Sequence, residues 1–309
     1  MTSKERSSKD GGRQAPSILG VAEVPVPYMA NSADGVEGAA SVEGKANTDS
    51  TDSTDSADCA DIAAAAGNPQ YRSLNLTRLA EQGMLTQEGG RSSVAEDFRI
   101  IKRPLLRQAR ASGAEAIRHG NLIVVTSAMP GEGKTYCAIN LAMSIAMEMD
   151  ITVLLVDADV ARPSVLKVLG LPPEPGLMDV LLDPQLAMAD VILKSNVANL
   201  SILPAGRSNK HATELLASRA MSRLLAEIAS RYADRVVVFD SPPLLITSEA
   251  HALVGQMGQV VMVVEAETTT QHAVKEALRQ IDSCEHIHLI YNKTKSFPGN
   301  NYYGYGHYD

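Results

Sequence analysis

From Leu122 to Tyr291 the chain alternates short apolar runs with longer stretches in which apolar residues recur every three or four positions. The short runs predict strands at Leu122–Thr126, Thr152–Asp157, Leu200–Leu203, Arg235–Asp240, Gln259–Val264 and His286–Tyr291. Several are continuously apolar, which is expected of strands covered by helices on both faces of a parallel sheet. The helical periodicity predicts helices at Lys134–Met147, Pro163–Leu169, Gly176–Leu182, Thr213–Tyr232, Ser248–Gln256 and Thr270–Ser283. Strand and helix in strict turn imply an α/β domain over residues 119–292, with a mostly parallel sheet and helices on both faces.

The flanks differ from this centre. Residues 1–70 are rich in Ser, Ala, Gly, Asp and Pro, and Asp49, Asp52, Asp55, Asp58 and Asp61 fall on every third position. Low hydrophobicity with one sign of charge cannot build a core, so this stretch is expected to be a disordered acidic tail. Residues 71–118 form a basic, partly helical lead-in. Phe98, Ile101 and Leu105 stand at helical spacing there, among Arg99, Lys102, Arg103 and Arg107, and Pro104 is expected to kink or restart the helix. Such a face suits a contact with another subunit or a membrane partner. Residues 293–309 are polar, with Gly and Asn, and are expected to be a flexible tail.

Composition narrows the class. The 309 residues carry 28 basic and 36 acidic side chains, net −8, which argues against generic nucleic-acid binding. No apolar run approaches the length that spans a bilayer, and the N-terminus lacks the apolar core of a secretory signal. Cys59, Cys137 and Cys284 show no metal-ligand spacing, which suits a cytoplasmic location.

The chemistry is concentrated in Leu122–Asn140, LIVVTSAMPGEGKTYCAIN. An apolar strand runs into a small-residue turn, and Lys134-Thr135 opens a helix, the context of a phosphate-binding P-loop. Ala128 stands at the first glycine position of that pattern. Backbone N–H groups of Gly131, Glu132, Gly133, Lys134, Thr135 and Tyr136 would cradle the phosphates of ATP. Lys134 would reach the β/γ-phosphates and Thr135 would hold Mg²⁺. Such a loop needs carboxylates at neighbouring strand ends, and VLLVDAD supplies Asp157 and Asp159 while VVVFDSPP supplies Asp240.

SAMPGEGKT, VLLVDADVARPS and VVVFDSPP together resemble the three nucleotide motifs of bacterial tyrosine kinases, P-loop autokinases of exopolysaccharide and capsule systems. The resemblance covers about residues 94–309 and extends to the soluble autokinases of exosortase-associated loci. It implies that Lys134, Asp157, Asp159 and Asp240 are catalytic. Asp157 would be a base or positioning group near the metal, and Thr135, Asp157 and Asp240 would hold Mg²⁺. The family's arginine position after the first acidic pair is Ala161, with Arg162 beside it as the replacement. Glu96, Arg99 and Lys102 match the family's oligomer motif, with lysine for its last arginine, and imply a homo-oligomer of ring type. The implied partners are a membrane-embedded polysaccharide chain-length protein as activator and a phosphatase, with the kinase peripheral at the inner membrane.

Tyr302, Tyr303, Tyr305 and Tyr308 cluster in NYYGYGHYD with no apolar neighbours to pack against. They are expected to be phosphoacceptors, modified in trans. Asn292, after the last strand, is expected to hydrogen-bond the adenine, and His286 and His288 to be surface or packing residues. A partition or cell-division ATPase is the alternative within the superfamily. Met129 stands where those proteins carry a signature lysine, and they lack a terminal tyrosine cluster. A nucleotide-switched scaffold of a membrane export complex is the non-enzymatic alternative.

Overall fold

The computed structural model describes residues 21–23, 68–87, 92–231, 235–282 and 284–294. Most of the expected N-terminal tail, and the whole tyrosine cluster Tyr302–Tyr308, lie outside the described residues.

The six predicted strands form, within one residue at either end. They are β3 (Leu122–Ser127), β4 (Thr152–Asp157), β6 (Leu200–Leu203), β7 (Arg235–Asp240), β8 (Gln259–Glu265) and β9 (Ile287–Asn292). Three short strands join them: β1 (Val21–Glu23), β2 (Tyr71–Arg72) and β5 (Leu193–Ser195). The sheet runs β1-β9-β8-β3-β7-β4-β6-β5-β2, parallel from β9 through β6. β1 and β5 pair antiparallel with their neighbours β9 and β6. β1 lies within the stretch expected to be tail; its three residues occupy the open edge of β9.

Because side chains alternate across a strand, Leu122 and Val124 enter one core while Ile123 and Val125 enter the other. The second of these cores is closed by α2 (Ser93–Ala109) and α3 (Lys134–Ala146). Short α1 (Leu76–Glu81) and α4 (Val165–Leu169) complete that side. On the opposite face lie α5 (Leu177–Leu182), α6 (Ala212–Leu216), α7 (Arg219–Arg231), α8 (Ser248–Val254) and α9 (Gln271–Arg279).

Three expectations are corrected. The single helix expected over Thr213–Tyr232 is two, broken at Ala217-Ser218, because Ser218 Oγ accepts the Met221 N–H at 3.2 Å and caps a new helix. Pro104 does not break α2. The helix continues from Ser93 to Ala109, and the proline's missing N–H leaves only the Ile100 carbonyl without its donor. Lys102, expected in an oligomer contact, is buried within the chain, where its Nζ donates to the Ser144 carbonyl at 2.6 Å and pairs with Glu148 at 2.5 Å. Glu96 and Arg99 of the same motif stay on the surface as an i,i+3 pair.

The lead-in is thereby fastened to the phosphate-loop helix. Phe98, Ile101 and Leu105 are buried against it. Asn140 Oδ1 accepts the Leu85 N–H at 2.6 Å, and the Tyr136 hydroxyl donates to the Gly83 carbonyl at 2.7 Å.

Candidate active site

The site gathers at the C-terminal ends of β3, β7 and β4, and strand order explains why. β7 lies between β3 and β4, with Asp240 in register with Val125 on one side and with Asp157 on the other. Two carboxylates far apart in sequence thus end adjacent strands beside the turn that follows β3.

That turn needs glycine where the backbone goes left-handed, at Gly131 (φ +89°) and Gly133 (φ +94°). Glu132 is buried beneath it: one carboxylate oxygen accepts the Met129 N–H at 2.7 Å, and the other accepts the Thr269 hydroxyl. Asn292 is buried too, its amide donating to the Glu132 carbonyl at 2.8 Å and its oxygen accepting the Lys293 N–H at 2.9 Å. Lys293 Nζ donates to the Gly131 carbonyl at 2.7 Å and pairs with Glu265 at 2.9 Å. The loop is clasped from below by side chains of β9 and the β8–α9 connection.

Lys134 Nζ sits 2.7 Å from Asp159 Oδ2 and 3.9 Å from Asp240 Oδ1. The Thr135 hydroxyl donates to Asp240 Oδ2 at 2.7 Å and lies 3.0 Å from Ser164 Oγ. Asp157 Oδ2 accepts the N–H groups of Ser164 and Val165, each at 3.0 Å, where α4 begins.

Burial sets the protonation. Desolvation pushes the Asp240 carboxyl up to about 7, with the Asp157 and Asp159 charges adding and Lys134 and the Thr135 hydrogen bond opposing. Desolvation likewise raises Asp157 to about 6, against its two α4 hydrogen bonds. Burial would lower the Lys134 pKa, but Asp240 and Asp159 hold it above the usual lysine value.

Asp157 Oδ1 and Asp240 Oδ1 are buried without a hydrogen-bond partner. Two orphaned carboxylate oxygens beside a threonine hydroxyl fit a hard cation such as Mg²⁺. Among the described residues no three His, Cys, Asp or Glu side chains close on one point.

The structure therefore brings Lys134, Thr135, Asp157, Asp159 and Asp240 together. It separates others from them. The Tyr136 hydroxyl is occupied by the lead-in, leaving its backbone N–H for phosphate. The side-chain nitrogen and oxygen of Asn292 are each engaged in the clasp rather than turned to a base. Arg162 is exposed, with its backbone N–H on Asp159 Oδ1 at 3.1 Å. His288, as expected, packs: it is buried with Nε2 3.0 Å from Gln108 Oε1. Sequence reading missed Ser164, Thr269 and Lys293. Ser164 lies seven residues after Asp157, inside a segment already singled out. Nothing local marks Lys293 or Thr269, whose roles depend on β8 and β9 running beside the loop.

Residues 120–294 match the family model described as an AAA domain. Tyrosine-protein kinase YwqD of Bacillus subtilis is 32% identical over 228 residues, covering 73% of this chain and 92% of that protein. Succinoglycan biosynthesis transport protein ExoP of Rhizobium meliloti is 32% identical over 209 residues, 66% of this chain but 25% of that longer protein. The solved kinase domain of Escherichia coli tyrosine kinase ETK superposes with a TM-score of 0.57 at 25% identity, covering 65% of this chain and 75% of that one.

Proposed function

This chain belongs to the AAA-domain family and, within it, to the bacterial tyrosine-protein kinases, and on that premise we propose an autokinase that phosphorylates its own C-terminal tyrosine cluster in trans. The observation that carries the reading is the pair of orphaned carboxylate oxygens on Asp157 and Asp240, on adjacent strands beside Lys134 and Thr135.

ATP is the donor. The backbone of Gly131–Tyr136 binds its phosphates, and Lys134 leaves Asp159 to neutralise the β/γ-oxygens. Thr135, Asp157 and Asp240 would hold Mg²⁺, which supplies further charge neutralisation on the phosphates when bound. The phenol oxygen attacks the γ-phosphorus, the bond to the β-bridging oxygen breaks, and ADP leaves. The phenolic proton passes to the Asp157 carboxylate at the end of β4. Catalysis is positioning and charge stabilisation, so each of these side chains is needed.

ExoP is named for succinoglycan biosynthesis transport, and that supports a role in regulating exopolysaccharide production or export. No helix among the described residues is long and apolar enough to cross a membrane. We place the kinase at the inner membrane through a polysaccharide chain-length protein as activator, with a phosphatase resetting the tail.

Intact mass after incubation with Mg-ATP tests this. Wild type should gain several phosphates, while Lys134→Met and a variant with Tyr302, Tyr303, Tyr305 and Tyr308 changed to Phe should gain none. Mixing Lys134→Met with the four-Phe variant should phosphorylate the Lys134→Met copy, which has only a neighbour to act on it. Full phosphorylation of the four-Phe variant would overturn the acceptor assignment, and no transfer in the mixture would overturn action in trans.

A further inference from the structure

The underside of the sheet, at the N-terminal ends of β3, β8 and β9, carries a second concave surface on the side opposite the phosphate loop. A cleft of about 710 Å³ lies between the end of α2 and the connections that lead into β3 and β9. Ile117, Arg118 and His286 carry its lining into a neighbouring cleft of about 430 Å³, which reaches Leu225 and Met257. Arg107, Arg110, Arg118 and His286 stand on the first cleft, with Glu115 and Glu285 offsetting part of their charge. The three arginines are exposed, and among the described residues none of them forms an ion pair. Arg110 Nη2 reaches only the Asp150 carbonyl, at a long 3.4 Å. In a chain of net charge −8 this is a local reversal of sign, and a concave surface concentrates its field.

Residues 24–67 lie outside the described residues and carry eight acidic side chains against one basic, Lys45. β1 runs antiparallel to β9 with Glu23 opposite His288, so the chain leaves β1 heading for His286 on the lining of the cleft. It rejoins the fold at the far edge of the sheet, where β2 pairs with β5.

We propose that residues 49–61 of the same chain dock in this cleft as an acidic strap, with Asp49, Asp52, Asp55, Asp58 and Asp61 set against Arg107, Arg110 and Arg118. The docking does not depend on the kinase reading above.

Charge, reach and spacing favour this occupant. Residues 24–67 extend to about 145 Å, whereas the eight strand spacings from β1 to β2 amount to about 38 Å. The connection is therefore far longer than crossing the sheet requires. Counted back from Asn68, Asp55 is within reach of up to about 43 Å. The five spacings from β2 to β3, about 24 Å, and the height of a six-residue strand, about 20 Å, fall inside that reach. A repeat of three places every carboxylate on one side of a chain extended as polyproline II, about 9 Å apart. One side then meets the arginines while the intervening Ser and Thr turn to solvent. The docked strap closes this end of α2 to other anions.

The test is thiol cross-linking of the full chain with a short bis-maleimide, the linked pair being identified by peptide mapping. Cys59 lies within the acidic run, and Cys137 and Cys284 are buried. Ser112→Cys puts a partner thiol on the exposed rim of the cleft. Gln185→Cys is the reference. It is exposed and near the point where the segment rejoins the fold, since Gln70 Nε2 donates to the Ala189 carbonyl at 2.8 Å. An undocked tether would favour position 185. Docking should instead link Cys59 to position 112 about fivefold more than to position 185, within one chain. That excess should vanish in Arg107→Ala/Arg110→Ala/Arg118→Ala and in a variant with the five aspartates changed to Asn. It should vanish too in 1 M salt, where the screening length falls to about 3 Å. Nucleotide titration serves as the folding control, and the five-Asn variant leaves the folded core untouched. Equal or greater linking at position 185, or a yield that the charge variants leave unchanged, would overturn the strap. A product of doubled mass would overturn the assignment to the same chain.

Discussion

Replacing Asp240 with Asn should make the nucleotide-free protein more stable at pH 8 while abolishing phosphotransfer. Asp240 is fully buried at the end of β7, one of its oxygens has no hydrogen-bond partner, and its carboxyl titrates at about 7 against an ordinary 3.8. A carboxyl that holds its proton more tightly folded than unfolded favours folding at low pH. That contribution is complete below about pH 4 and is lost as pH climbs through 7. A shift of about 3 units at 1.36 kcal/mol each sets an upper bound of ~4 kcal/mol on what ionised Asp240 costs at pH 8. Asparagine still accepts the Thr135 hydroxyl bond made at 2.7 Å, and Lys134 keeps Asp159 at 2.7 Å. The loss is the attraction between Lys134 and Asp240 at 3.9 Å, which leaves a net gain of roughly 1–3 kcal/mol. Urea denaturation at pH 5.5 and pH 8, with EDTA and no nucleotide, measures it. Wild type should lose stability between the two values and Asp240→Asn should lose less; Asp157, at about 6, keeps a smaller slope in both. A variant as pH-sensitive as wild type, or less stable at pH 8, would refute the reasoning.

Gly133→Ala should abolish nucleotide binding in a titration. Its φ of +94° is strained for any side chain, and the new Cβ would lie 2.1 Å from Asn292 Nδ2, forcing the clasp open. Glu148→Ala should cost more than Lys102→Met in denaturant midpoint. The first leaves an uncompensated buried ammonium, and the second replaces it with an apolar chain of similar length, at roughly 1–3 kcal/mol against about 1. The reverse order would contradict the pairing. Ser218→Ala should lower stability by about 1 kcal/mol through loss of the α7 cap, with nucleotide affinity unchanged in the same titration.

The central sheet and its acidic strand ends were legible because each is local. An apolar run buried on both faces looks alike in sequence and in space, and Asp157 and Asp240 close such runs. What was hidden depends on neighbours that only the fold supplies. Asn292 looked like a strand-end residue free to meet a base, but β9 lies beside β8 and carries it under the phosphate loop. Lys102 looked like one more surface cation in a basic stretch. Its position on the Phe98–Leu105 stripe, at helical spacing, instead turns it toward α3 and the Ser144 carbonyl. β2 and β5, at two and three residues, are too short to show a period of their own and form because an edge was open to them.

Lys293 joins two parts of the chain otherwise treated apart. Its ammonium grips the Gly131 carbonyl, its backbone N–H is held by Asn292, and one residue later the described chain ends and the tyrosine-bearing tail follows. The residue from which the C-terminal segment departs is therefore anchored to the floor of the phosphate loop. A pull along the tail, as when a neighbour captures it, is delivered first to the residue that keeps Gly131 in place. If the tail acts as proposed, its capture by a neighbour would load the same residue that steadies the phosphate loop, and so would reach the nucleotide site through Lys293.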